Sequence, residues 1–339
     1  MKLRVGIPRA LFYYYQYPAW EEFFKQLGAE VVLSPATHKR IMNAGVTSAV
    51  DEACLPVKVF YGHVLELMPQ VDLIFVPRLV SVEAKTYICP KFMGLPDMIR
   101  ASLSRPVPII DLCVDISRSY HQLRREMRRI AGWFTNDLKK LQQAERAAMR
   151  RLQEFERLME EGYLPTEAIA LMGKGETNSD ACHIEEQAGN DPEITVALLG
   201  HGYTIYDEYL NHRLIERLRH LGARVLTAEH LPLQVIEREA RRLPKRMFWT
   251  LGKKIIGAAF HFLDSSEVDG IIHLACFGCG PDSLVAELVE IEAHRRKRPP
   301  FMMLTLDEHT GEAGLVTRLE AFVDLLRRLK NRDIQDQAV

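Results

Sequence analysis

Two segments far apart in the chain share one pattern, and it restricts the fold. They read KQLGAEVVLSP (Lys25 to Pro35) and RHLGARVLTAE (Arg219 to Glu229). In each, a helical stretch stops at a glycine and a short apolar run follows at once. A glycine just past a helix adopts the left-handed conformation cheaply, and the run after it reads as a strand. The match extends in both directions. Leu3 to Ile7 and Thr195 to Leu199 are strands before helices expected over about Trp20 to Leu27 and Asp207 to Leu221. LIFVPRL (Leu73 to Leu79) corresponds to GIIHLACF (Gly270 to Phe277) as a buried central strand. Each is followed by a cysteine and a Pro-Asp pair, Cys89 with Pro96-Asp97 and Cys279 with Pro281-Asp282, and each pair is expected to open a helix. PVPIIDL and PPFMMLTLD then end near Asp111 and Asp307. Strands alternating with helices predict an α/β fold: two similar flavodoxin- or Rossmann-like lobes with parallel sheets, joined by a helical segment.

The expected domains are an N-terminal α/β lobe over 1–115, a helical connector and polar linker over 116–192, and a C-terminal α/β lobe over 193–330. The connector is rich in Arg, Glu, Leu and Gln at helical spacing and includes the basic run RREMRR (Arg124 to Arg129). Interleaved Glu126 makes that run a solvated helix face rather than a nucleic-acid contact. A CoA moiety or a partner protein would also suit its charge. The net charge of −1 supplies no overall basic field for nucleic acid. No run reaches the roughly 18 apolar residues of a membrane span, and the first residues lack a signal peptide's apolar core. With 47% hydrophobic and 26% charged residues, a cytoplasmic globular protein is expected.

Six cysteines in a reducing compartment argue for metal, catalysis or burial rather than disulfides. Three of them fall at turns where an α/β fold would gather side chains, beyond the carboxyl ends of its strands. Cys54 stands just before Leu55, Pro56 and an apolar helix, a position that favours thiolate. Cys89 is followed by Pro90, a pairing frequent beside iron–sulfur clusters. Cys279 lies between Gly278 and Gly280, which let the backbone approach a bulky inorganic ligand. It could equally be a nucleophile, with His273 or His309 as base. Cys276, three residues earlier, is a candidate additional ligand. Cys113 is expected to pack in the core, and Cys182, in the polar linker, stays outside the site.

The segment TLDEHTGEAG (Thr305 to Gly314) is dense in ionisable groups after the last strand of the second lobe. Acidic charge at a helix N-terminus explains much of it. Glu308 and His309 are nonetheless candidate catalytic residues. GHGYTIYD (Gly200 to Asp207) follows that lobe's first strand but lacks the dinucleotide fingerprint, and no Walker A pattern is present. Any ATP-driven step would come from another protein.

The segments VGIPRALFYYYQYPAW, DEACLPVK, YICPKFMGLPDMIR, FGCGPDSLV and TLDEHTGEAGLVTRLEAF resemble the 2-hydroxyacyl-CoA dehydratase-like proteins. The nearest branch is the one related to acyl-CoA dehydratase activase, of the DUF2229 type. The resemblance runs from about Leu3 to Leu329 and omits the linker around Cys182. It implies two flavodoxin-like lobes with a 4Fe–4S cluster between them, held by three cysteines that map onto Cys54, Cys89 and Cys279. The remaining cluster position would be open or filled by a non-cysteine group. It also implies an ATP-hydrolysing activator of actin-like fold that delivers a low-potential electron, and acyl-CoA as candidate substrate. Some relatives carry a double-cubane 8Fe–9S cluster and act as reductases, a ligand set that would need all six cysteines.

These readings leave the activity open. One is an iron–sulfur protein for low-potential electron transfer or reductive radical chemistry, acting as a dehydratase-like lyase or a reductase. A second is a non-catalytic, cluster-carrying scaffold for the activator. A third is a metal-free enzyme with a cysteine nucleophile. A homo- or heterodimer is an expected assembly.

Overall fold

The computed structural model describes residues 2–103, 107–117, 119–173 and 193–337. The chain divides into two compact units, Met1–Met172 with Met247–Leu251, and Gly173–Arg246 with Gly252–Val339.

The first unit contains β1 (Arg4–Ile7), α1 (Tyr13–Leu27), β2 (Glu30–Leu33), α2 (Lys39–Ser48), α3 (Leu55–Leu67), β3 (Leu73–Phe75), β4 (Arg78–Ser81), α4 (Pro90–Ser102), β5 (Ile109–Ile110), β6 (Cys113–Asp115), α5 (Tyr120–Ala131), α6 (Leu138–Glu160) and α7 (Pro165–Gly173). Its main sheet has the order β2-β1-β3-β5, all parallel, and β4 pairs with β6 in a separate parallel ribbon. The second unit contains β7 (Ile194–Gly200), α8 (Gly202–Ile205), α9 (Leu214–His220), β8 (Ala223–Thr227), α10 (Leu233–Ala240), α11 (Thr250–Asp264), β9 (Gly270–Cys276), α12 (Gly280–Arg296), β10 (Phe301–Leu306) and α13 (Glu312–Gln337). Its sheet, β10-β9-β7-β8, is also parallel throughout. Read from the other edge, β8-β7-β9-β10 repeats the order of the first unit strand for strand. The fold is therefore α/β with two sheets of flavodoxin-like order.

Burial follows position in the sheet. The central strand β9 is buried at every residue, and β7 is nearly so. The edge strand β10 alternates, with Met303 and Thr305 exposed and Leu304 and Leu306 buried. A parallel sheet covered on both faces requires that contrast.

Two helices depart from expectation. α1 begins at Tyr13, seven residues before Trp20, and carries Pro18 inside it. Proline removes one helical bond. Burial of Tyr13, Tyr14 and Tyr17 along the same helix outweighs that loss. The helix expected over Asp207 to Leu221 is instead broken. The Asp207 carboxylate accepts the Tyr209 and Leu210 N–H groups at 3.1 and 3.2 Å. The Asn211 amide donates to the Thr204 carbonyl at 3.1 Å and accepts from Leu214 N–H at 3.1 Å. Such side chains satisfy backbone groups locally and so compete with the helix. The helices over 116–172 fold within the first unit, where Phe134 meets Phe24 of α1 edge-on at 5.9 Å. α6 and α7 share a small core of Phe155, Met159, Ala168 and Met172.

α3 is placed by glycine-sized contacts. A Cβ at Gly62 would sit 2.0 Å from the Ile41 carbonyl oxygen of α2, and one at Gly45 would sit 2.0 Å from that of Lys58. Only two glycines allow the helix backbones to touch there. His63, next along, is fully buried between Ser34 Oγ at 2.8 Å and Thr37 Oγ1 at 3.0 Å. Burial pushes its pKa down to about 3, so it is a neutral link between α3 and the β2 loop. Gly62→Ala should therefore destabilise the protein by roughly 1–3 kcal/mol, as overpacking does. Urea unfolding measures it, and an unchanged midpoint would refute the close crossing.

Candidate functional site

The three cysteines singled out in the sequence occupy one structural slot. Cys54 is the N-cap of α3, Cys89 the N-cap of α4 and Cys279 the N-cap of α12, each with a proline in the first turn. The first turn of a helix leaves N–H groups without intrahelical partners, and the helix dipole adds positive potential. Both favour negative charge on a nearby sulfur. Proline fits there because the amide it lacks would be unpaired in any case.

Cys54 and Cys89 belong to the first unit and Cys279 to the second. Cys54 is buried, and burial pushes its thiol up to about 11. The Val57 N–H opposes that shift, and negative charge at nearby Cys89 adds to it. Cys89 is half-buried. Burial raises its pKa, and the N–H groups of Lys91 and Phe92 pull the other way. Its loop is held on both sides. Ile88 N–H donates to the Val80 carbonyl at 2.9 Å, and Tyr87 pairs with Trp249 in a parallel bridge. Buried Thr86 Oγ1 lies 2.8 Å from Thr250 Oγ1.

In the second unit, Cys279 has buried ionisable neighbours that sequence reasoning did not assemble. β7 ends at Gly200, whose φ is +143° and where a Cβ would sit 2.4 Å from the Leu274 carbonyl oxygen. His201 follows directly, buried and stacked on Tyr203 with ring centroids 4.9 Å apart. Asp282, in the first turn of α12, has no exposed surface. One donor atom each from His201, Cys279 and Asp282 lie within 4.8 Å of one another. Asp282 Oδ1 lies 3.3 Å from His273 Nε2 and 4.0 Å from His201 Nε2, and Oδ2 accepts the Cys276 N–H at 3.2 Å. Burial alone would raise the Asp282 pKa. The attraction of His201 and the bonds from His273 and Cys276 outweigh it and hold the carboxylate ionised. Burial pushes the His201 pKa down, against the pull of the Asp282 carboxylate.

The other candidates fall elsewhere. Cys276 closes β9, where its thiol lies 3.3 Å from Thr204 Oγ1, and it meets Asp282 through its backbone. Cys113 starts β6, half-buried, and burial raises its pKa. The charges of Glu126, Arg78, Asp115 and Asp111 act on it too, so its surroundings are not the apolar core expected. Cys182 lies outside the described residues. Glu308 and His309 sit in the turn after β10, beyond Leu306, which pairs with Cys276. The turn is a closed hydrogen-bonded unit. Asp307 Oδ1 accepts from His309 N–H at 2.9 Å and from the Thr310 hydroxyl at 2.8 Å, while Thr310 Oγ1 accepts from Asp307 N–H at 2.8 Å. Thr310 is thus a turn residue, and His309 itself is exposed. Of the two imidazoles weighed as partners for Cys279, His273 is engaged with Asp282. The imidazole grouped with Cys279 is His201. Its signal was present: a histidine immediately after a strand, and an aspartate three residues past a cysteine.

No helix among the described residues is long and apolar enough to cross a membrane. A family model described as the CoA enzyme activase uncharacterised domain matches residues 4–231. No curated protein matches the chain.

The Cys54 environment has a measurable consequence. Raising a thiol from 9.0 to about 11 lowers its thiolate fraction at pH 8 roughly 100-fold. In metal-free protein, alkylation of Cys54 followed by mass spectrometry should be slower by at least that factor than for a free thiol. Its rate should still be climbing at pH 10. A plateau near pH 9 would contradict the desolvated setting.

Proposed function

The chain belongs to the CoA enzyme activase uncharacterised-domain family, and from that membership we propose that it is an iron–sulfur protein served by an ATP-hydrolysing activator of actin-like fold. Cys54, Cys89 and Cys279 are the proposed ligands. The observation that carries the reading is their shared slot: each is an N-cap with a proline in the first turn, whereas Cys113 and Cys276 are strand residues. The donor set suits the group, since iron–sulfur clusters are held by thiolates and tuned by hydrogen bonds to sulfur.

A 4Fe–4S cluster so held would supply one-electron chemistry at low potential. The chain's own residues prepare for it. The first turns of α3, α4 and α12 present N–H groups towards negative charge at the three sulfurs. The backbone pairing of Tyr87 with Trp249 fixes the loop that carries Cys89. Metal ligation would draw the Cys54 proton off a thiol that otherwise keeps it, so uptake releases protons. Three cysteines leave one coordination position without a thiolate from this set. Acyl-CoA is the proposed substrate class, in dehydration or reduction.

Protein purified and reconstituted without oxygen should be brown and carry about four irons per chain. Cys54→Ala, Cys89→Ala and Cys279→Ala should each lose most of that iron, and Cys276→Ala should keep it. Colourless, iron-free protein after reconstitution would sink the reading.

A further inference from the structure

The second unit contains a compact donor set that does not need the first unit's cysteines. We propose that, in the chain without a cluster, His201, Cys279 and Asp282 bind a single divalent cation of the zinc type. The proposal goes beyond the iron–sulfur reading and stands without it, because Cys54 and Cys89 take no part.

Three features carry it. The first is spacing. Donor atoms that all lie within 4.8 Å of one another can close on one ion with small adjustments, since zinc takes nitrogen and oxygen at about 2.0–2.2 Å and sulfur at about 2.3 Å. The second is an unmet need. His201 Nδ1 is buried without a hydrogen-bond partner, although its ring has almost no solvent contact. Nδ1 is one of the two ring nitrogens that could ligate, and a buried polar atom left unpaired calls for an explanation. The third is support around the donors. Asp282 is oriented through both oxygens, by His273 Nε2 and by the Cys276 N–H. Such outer partners orient ligands at metal sites. Cys279 caps a 17-residue helix whose N-terminus favours the thiolate. His201 is delivered by Gly200, in a conformation that a residue with a Cβ could not adopt without meeting the Leu274 carbonyl.

The donors also select the ion. One thiolate, one imidazole and one carboxylate suit zinc or cobalt and do not suit magnesium or calcium, which prefer oxygen alone. Three protein donors leave the fourth tetrahedral position to water or an added ligand. The ion would hold the Cys279 thiolate in a defined, oxidation-protected state, and it must leave before Cys279 can serve iron.

The test uses the full chain, freed of metal under reducing conditions and titrated with Co2+. It should bind about one equivalent with a thiolate-to-cobalt charge-transfer band, and Zn2+ should displace it. Cys279→Ser should abolish the band and His201→Gln should weaken binding at least tenfold, while the double variant Cys54→Ser/Cys89→Ser binds as the parent does. Loss of the band in that double variant, or parental affinity in His201→Gln, overturns the proposal. X-ray absorption of the unsubstituted zinc-loaded chain keeps the test independent of variant folding. It should show one sulfur at about 2.3 Å and the rest nitrogen or oxygen, and two or more sulfurs would refute the site. Iron content after reconstitution is a separate readout, so either reading can fail alone.

Discussion

A parallel sheet sends the carboxyl end of every strand to the same edge, and the grouping of Cys279, His201 and Asp282 follows from that. Each unit has four such strands in the same order, with helices returning the chain between them. At that edge strands end and helices begin, so unpaired N–H groups and positive potential accumulate there. Cys279 with Asp282 follows β9, and His201 follows β7, its neighbour in the sheet. Residues 81 positions apart in sequence are neighbours because of strand pairing alone.

The repeated order was legible because it rests on short local signals: a glycine after a helix, then an apolar run. KQLGAEVVLSP and RHLGARVLTAE do mark equivalent positions, the passages into β2 and β8. Helix starts were less legible, since they depend on packing and side-chain bonds that a pattern does not display. A helix was expected from about Trp20, but buried Tyr13, Tyr14 and Tyr17 carry it back through Pro18. Asp207 and Asn211 looked helical in register but bond the backbone instead. One of the two Pro-Asp pairs misled for a related reason. α12 does start beside Pro281, but α4 starts at Pro90 and carries Pro96 within it. The equivalence that holds is between Cys89 and Cys279 as N-caps. The approach of His201 to Asp282 was hidden because it joins a strand end to a helix start through strand order rather than through spacing.

Aligned on those N-caps, the two units differ in chemistry. The third residue of α12 is Asp282, and the third of α4 is Phe92. His201 follows β7, and Pro8 follows β1. Phe92 packs edge-on to Phe12 at 5.3 Å, and with Pro8 and Leu79 it lines an apolar cavity. The same backbone corner is thus aromatic and uncharged in one copy, and buried and ionisable in the other. Two units with the same strand order share a cysteine slot and differ in what surrounds it.

The return of residues 247–251 to the first unit sets an order of assembly. The segment that pairs with Tyr87 and fixes the approach to Cys89 is made only after the chain has extended 75 residues beyond Met172. At translation speeds of about 5–20 residues per second, that gap lasts roughly 4–15 s. During that interval the nascent first unit carries Cys89 on a loop whose staple does not yet exist. Maturation of this chain is therefore ordered in time, and the ribosome delivers the last part of the first unit from within the second.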